Sequence, residues 1–173
     1  METHIESINK GINSAIKELN PASGLRAYGL AESVSVRGDE DTTFPAIVLP
    51  DGECISVCGE ADKHDVVLYH RLNDKSYTED ANASIGSHKG YAETDDLSLI
   101  VFGKREKVSQ YKVEEIARKV IASINARTLV RSEFNALQIF ANEYAGVTFF
   151  LGPEYYLFKI NYRITSTYNP RCA

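Results

Sequence analysis

From Phe158 to Thr165 the chain alternates without a break. Tyr156, Phe158, Ile160, Tyr162 and Ile164 share one side, and Lys159, Asn161, Arg163 and Thr165 share the other. A period of two with one apolar side dictates a β-strand with one face in a core. Val147–Leu151 precedes it across Gly152-Pro153, a pair that reads as a hairpin turn. The fold must therefore be built around a sheet.

Two other stretches carry the helical period. Ile5, Ile8, Ile12, Ala15, Ile16 and Leu19 recur at helical spacing among Glu6, Asn9, Lys10, Asn13 and Lys17. Thr3 with Glu6 three residues on has the pattern of a capping box, and Asn20-Pro21 ends the helix. The second helix runs from about Tyr111 to Asn125. Its apolar stripe is Val113, Ile116, Ala117, Val120, Ile121 and Ile124, with Ser109 as the expected N-cap.

The residues between the helices have β character. Leu30–Val36 alternates, 37–41 is a polar turn, and the apolar run 44–50 is bounded by prolines. Pro45 lacks a ladder donor and fits a strand start or a sheet edge. After the Asp51-Gly52 turn, Glu53–Cys58 and then Asp65–Leu72 read as further strands of a meander. Residues 73–96 are polar almost throughout, and a stretch of that length inside a compact domain predicts a projecting loop or a long hairpin tip. Leu97–Phe102 is a strand, 103–107 a turn, and Leu129–Tyr144 fits neither period. The expectation is one α+β domain over 1–173, with a mostly antiparallel, twisted meander packed against two amphipathic helices.

The charge balance, 19 Lys and Arg against 24 Asp and Glu, argues against a generic duplex-binding module, which carries a basic face to displace counterions from phosphate. No apolar run approaches the roughly 18 residues of a membrane-spanning helix. The acidic first residues resemble no secretory signal. Cys54, Cys58 and Cys172 are too few, and odd in number, for a disulfide framework. These features predict a soluble protein of a reducing cytoplasm, where the Asn82-Ala83-Ser84 sequon is idle.

Four strings invite a chemical reading. Ser109-Gln110-Tyr111-Lys112 has the S-x-x-K spacing of serine acyltransferases, but no companion motif accompanies it, and the same residues serve as a helix cap. Cys54, Cys58, His64 and His70 suggest zinc. In a strand, however, residues four apart lie roughly 13 Å from each other, too far for one tetrahedral ion. A Cys–His nucleophile needs a neighbour that lowers the thiol pKa, and nothing in the sequence places one. Lys159 and Arg163 with Lys104, Arg105 and Lys107 would make either a basic strip or a solvated sheet face. Phosphate-cradling glycine motifs and calcium loops do not occur. The reading assigns no catalytic, cofactor-binding or metal residues and no enzymatic activity.

The order of elements resembles the phage tail-terminator and tail-completion family and the related head–tail joining proteins. The matching pieces are the helix Ile5–Leu19, the run Phe44-Pro45-Ala46-Ile47-Val48, the helix Val113–Ile124, and the closing strand Tyr155–Arg163. The 73–96 segment is longer than that pattern. The resemblance implies a structural protein that forms a ring, commonly a hexamer. Such a ring caps the last tail-tube subunits and faces the head connector, with no membrane and no specific nucleic-acid partner. The role implies assembly in the bacterial cytoplasm, from a free phage or a prophage, and residence at the tail–head junction of the virion. The alternatives are a small α+β protein-binding adaptor and, less favoured, a cysteine-dependent enzyme.

Overall fold

A computed structural model describes residues 24–31, 33–38, 43–86, 88–123, 128–133, 136–143 and 154–168. The helix expected at Ile5–Leu19 and the strand expected at Val147–Leu151 lie outside these residues. The elements in chain order are β1 (Leu25–Ala31), β2 (Ser33–Gly38), β3 (Thr43–Val48), β4 (Cys54–Ser56), α1 (Val57–Lys63), β5 (Val66–Ile85) and β6 (His88–Lys104). They continue with α2 (Gln110–Ser123), β7 (Thr128–Glu133), α3 (Ala136–Glu143) and β8 (Tyr155–Tyr168). This is the expected α+β class, with mostly antiparallel pairing. A five-stranded sheet runs β1-β5-β6-β8-β7, and a three-stranded sheet runs β2-β3-β4. The β1–β5 pair is parallel, from Leu25↔Val66 to Ala31↔Arg71.

The proximal halves of β5 and β6 are covered on both faces, which is why they read as near-continuous apolar runs. On one face Leu68, Leu99, Phe158 and Tyr162 meet Val113, Ile116 and Ala117 of α2. On the other, Val67, Tyr69, Ile100, Phe102 and Leu157 meet Ile47 of β3, Val57, Cys58 and Ala61 of α1 and Ile139 of α3. Burying each large apolar side chain contributes about 1.5–3 kcal/mol. Ser109 caps α2 as expected, its Oγ accepting from the Lys112 N–H at 3.3 Å.

Local chemistry explains the turns and the departures from expectation. At Asp51-Gly52, Gly52 has φ +85°, and the Asp51 carboxylate accepts from the Glu53 N–H at 3.0 Å. Pro45 lies near the start of β3, one residue before the stretch that β4 pairs, so its missing donor leaves no gap in the β3–β4 ladder. The expected strand Leu30–Val36 is instead two strands in different sheets. The strand expected at Glu53–Cys58 ends at Ser56, whose Oγ accepts from the Gly59 N–H at 3.3 Å and caps α1. An apolar run this short has no decisive period, and burial of Val57, Cys58 and Ala61 selects the helix.

Beyond the core, β5 and β6 continue as a hairpin arm. Residues 73–96 are paired from Asp74↔Asp96 to Asp80↔Gly90, with β8 alongside β6 as far as Tyr91↔Tyr168. A register shift between Leu72 and Asp74 marks the root, where the apolar run stops. The regularly paired β5 portion, 73–80, spans roughly 25 Å at about 3.3 Å per residue. At the tip Gly86 turns the chain with φ +62°, while 81–84 fold over Gly90, whose N–H donates to Ser84 Oγ at 2.9 Å. A Cβ on Gly90 would lie 2.2 Å from the Ala83 carbonyl carbon, a clash with backbone. Gly90→Ala is therefore expected to disorder the tip while the core melts within about 1 kcal/mol of wild type. Hydrogen exchange will check this: protection should fall at 80–92 and stay unchanged at 97–102.

Candidate functional site

The arm and its root are rich in polar side chains. In 73–96 the sequence places six carboxylates (Asp74, Glu79, Asp80, Glu93, Asp95, Asp96) against Lys75 and Lys89. Tyr77 and Ile85 of the arm are 54% and 58% exposed. Cross-strand pairs hold the ribbon together. Lys75 bonds Glu93 and lies 3.3 Å from Asp95, Lys89 bonds Glu79, and Thr94 and Thr165 share a 3.3 Å hydrogen bond.

At the root, one face of the sheet opens into a cleft of about 310 Å³ lined by Asn73, Asp74, Asp96, Lys159, Asn161 and Arg163, among others. Its floor is a three-strand relay. Asn73 Nδ2 donates to Ser98 Oγ at 2.7 Å, and Ser98 Oγ donates to Asn161 Oδ1 at 2.6 Å. Arg163 binds the Asp96 carboxylate in bidentate fashion at 2.6 and 2.8 Å, and this hydrogen-bonded guanidinium holds the Asp96 carboxyl below its usual range. Behind the cleft, buried Glu143 at the end of α3 accepts from both Arg71 and Lys159.

On the opposite face, where the core meets the arm, His70 and Tyr162 share a 2.6 Å hydrogen bond between Nδ1 and Oη. His70 is 2% exposed and its Nε2 is buried without a hydrogen-bond partner. Burial holds the imidazole well below its ordinary value, at about 3, and pushes the Tyr162 hydroxyl up, with the nearby Asp95 charge adding to the rise.

The residues singled out from sequence are dispersed. Cys54 is on β4, Cys58 inside α1, His64 at the C-cap of α1 and His70 in the sheet. Among the described residues no group of three or more metal-ligating side chains converges, and Cys172 lies outside them. Burial pushes the Cys58 thiol up to about 12, so it stays protonated at neutral pH and is a poor nucleophile. The Lys104–Arg163 basic strip is neutralised in place: Lys104 pairs with Asp62 and Glu106, Lys159 with Glu143, and Arg163 with Asp96. Arg105 lies over the Tyr156 ring at 4.3 Å. The sequon falls in the 81–84 fold at the arm tip. None of the described helices is long and apolar enough to cross a membrane.

Sequence reasoning missed the His70–Tyr162 pair, the Ser98 relay and the Glu143 clamp. No local pattern signals them, because each joins residues far apart in the chain. No protein family and no curated protein sequence matches the chain.

Proposed function

We propose that the chain is a structural protein of a phage head–tail junction. In this reading it is a ring-forming tail-terminator or tail-completion protein that caps the tail tube and presents a surface to the head connector. It assembles in the bacterial cytoplasm and ends in the virion. The observation that carries the reading is the arm. Strands β5, β6 and β8 run on past the last of the described covering elements, into a ribbon whose β5 residues are exposed from Asn73 to Glu79. A ribbon that buries so little of itself gains by packing against another protein.

The charge of the arm suits the same role. Its excess of carboxylates disfavours retention of DNA, which must slide through a head–tail channel. The resemblance in element order adds the family, and the exposed Tyr77 and Ile85 supply apolar anchors for a tube subunit.

Electron microscopy of purified tail tubes mixed with the protein tests this. Tubes should stop growing and carry added density at one end. Tyr77→Ser with Ile85→Ser should abolish capping while shifting stability by less than about 0.5 kcal/mol, since both side chains are exposed. Unchecked elongation with bare ends overturns the proposal.

A further inference from the structure

Among the described residues, the arm has two open edges on opposite sides. The outer lane of β5 is filled by β1 only as far as Arg71, and the outer lane of β8 is filled by β7 only up to Arg163. Beyond those points, among the described residues, neither edge has a ladder partner. Strands β5 and β8 both pair antiparallel with β6, so they run in the same direction. Copies arranged around a rotation axis keep their strand directions, so β8 of one copy meets β5 of the next in parallel. That is the sense in which β1 already occupies the lane on β5.

The side-chain rows match as well. Register aligns Ser76, Thr94 and Thr165 across the ribbon, and Thr78, Ala92 and Thr167 in the next row on the same face. A neighbour's Thr165 and Thr167 set beside Ser76 and Thr78 would extend these rows with the hydroxyl pairing that Thr94 and Thr165 already make. Charge selects this arrangement over the symmetric one. The β5 edge carries Asp74, Glu79 and Asp80 against Lys75, while residues 163–168 of β8 carry Arg163 and no acid. Pairing β5 with β5 would oppose carboxylates. Pairing β5 with β8 does not.

We infer that the β5 edge of one copy, from Asn73 to Asp80, receives the β8 edge of the next, from Ile164 to Tyr168, as a parallel strand pair. This rests on the ring reading and deepens it: the partner surface is a second copy, and the wall of the ring is one continuous sheet. The contact is heterologous, so it propagates from copy to copy, and a rotation that closes turns it into the ring.

Cysteine exchange between copies tests the pairing. Full-length chains with Cys54→Ser and Cys172→Ser carry either a β5 cysteine (Ser76→Cys or Thr78→Cys) or a β8 cysteine (Thr165→Cys or Thr167→Cys). One partner carries a mass tag. Neighbouring strands bring Cα atoms within disulfide range, about 4.4–6.8 Å. Mixing the two kinds under mild oxidation should give a β5–β8 heterodimer at least several-fold above the homodimer from either alone. Equal homodimer yields, or no cross-link in any combination, overturn the inference. If wild-type rings still cap tubes in that case, the ring reading stands without it. Heterodimers that extend only into open chains, with bare tube ends, uphold the edge pairing and remove the ring reading.

Discussion

Lowering the pH from 6.5 to 5 will cost the protein about 2 kcal/mol of stability through His70 alone, at about 1.4 kcal/mol per pH unit. The imidazole titrates near 6.5 in the unfolded chain and near 3 in the fold, because burial between β5 and its neighbours disfavours the cation. Below pH 6.5 the unfolded chain takes up a proton that the native state refuses. Stability is therefore full above 6.5 and falls steadily toward pH 3, a total on the order of 5 kcal/mol. The groups around the ring do not offset this. Tyr162 stays a neutral hydroxyl across the range, and the Asp95 carboxylate near it has the Lys75 ammonium 3.3 Å away.

Carboxylates act in a separate window. Glu60, Asp96 and Glu115 are held below their ordinary values by cationic neighbours, so their contribution is present above about 4 and is lost at more acid pH. These carboxylates leave the interval from pH 6.5 to 5 to the imidazoles, and the His70→Phe variant isolates the share of His70. Urea unfolding at several pH values should show the wild-type midpoint falling through that interval. His70→Phe should start lower, with Tyr162 unpaired, and stay flat. A flat wild-type profile would refute the assignment.

What the sequence made legible follows the range of the interactions. The closing strand, the cap at Ser109 and the turn at Asp51-Gly52 depend on residues within a few positions of each other, and each appeared where expected. The arm was legible for a compositional reason: polarity changes at Asn73 and again at Leu97, where coverage of the sheet ends and begins. Sheet membership was not legible. Leu30–Val36 alternates smoothly, and only tertiary contacts divide it between a parallel pair with β5 and the small sheet. Leu129–Tyr144 was ambiguous because it holds both a strand and a helix, β7 and α3, each too short to impose a period. The root of the arm was hidden for the same reason. His70 meets Tyr162 across 92 positions and Arg71 meets Glu143 across 72, and no local pattern encodes such pairs.

Removing the carboxylate at the end of α3 should be among the most damaging single changes. Glu143→Ala is expected to destabilise the protein by about 3 kcal/mol, the low end of the range for breaking a buried ion pair, because Arg71 remains 33% exposed. An eight-residue helix does not persist by itself, and Glu143 opposes its dipole, so tertiary contacts hold α3 in place. Ile139 supplies the apolar anchor and Glu143 the polar one. The two cations come from β5 and β8, the strands whose edges are open further along the arm. The clamp thus ties both to one helix at the point where the core ends. Loss of the carboxylate leaves Lys159, only 14% exposed, as a nearly buried unpaired charge. A fully apolar replacement, Arg71→Met with Glu143→Leu and Lys159→Met, leaves no charge behind and should return to within about 1 kcal/mol of wild type. Urea denaturation of both variants checks the pair. Because Glu143 is buried, the deficit of the single variant should persist at high salt, whereas an exposed pair would be screened. A single variant within about 0.5 kcal/mol of wild type would show that the clamp behaves as a surface pair and that the helix is seated without it.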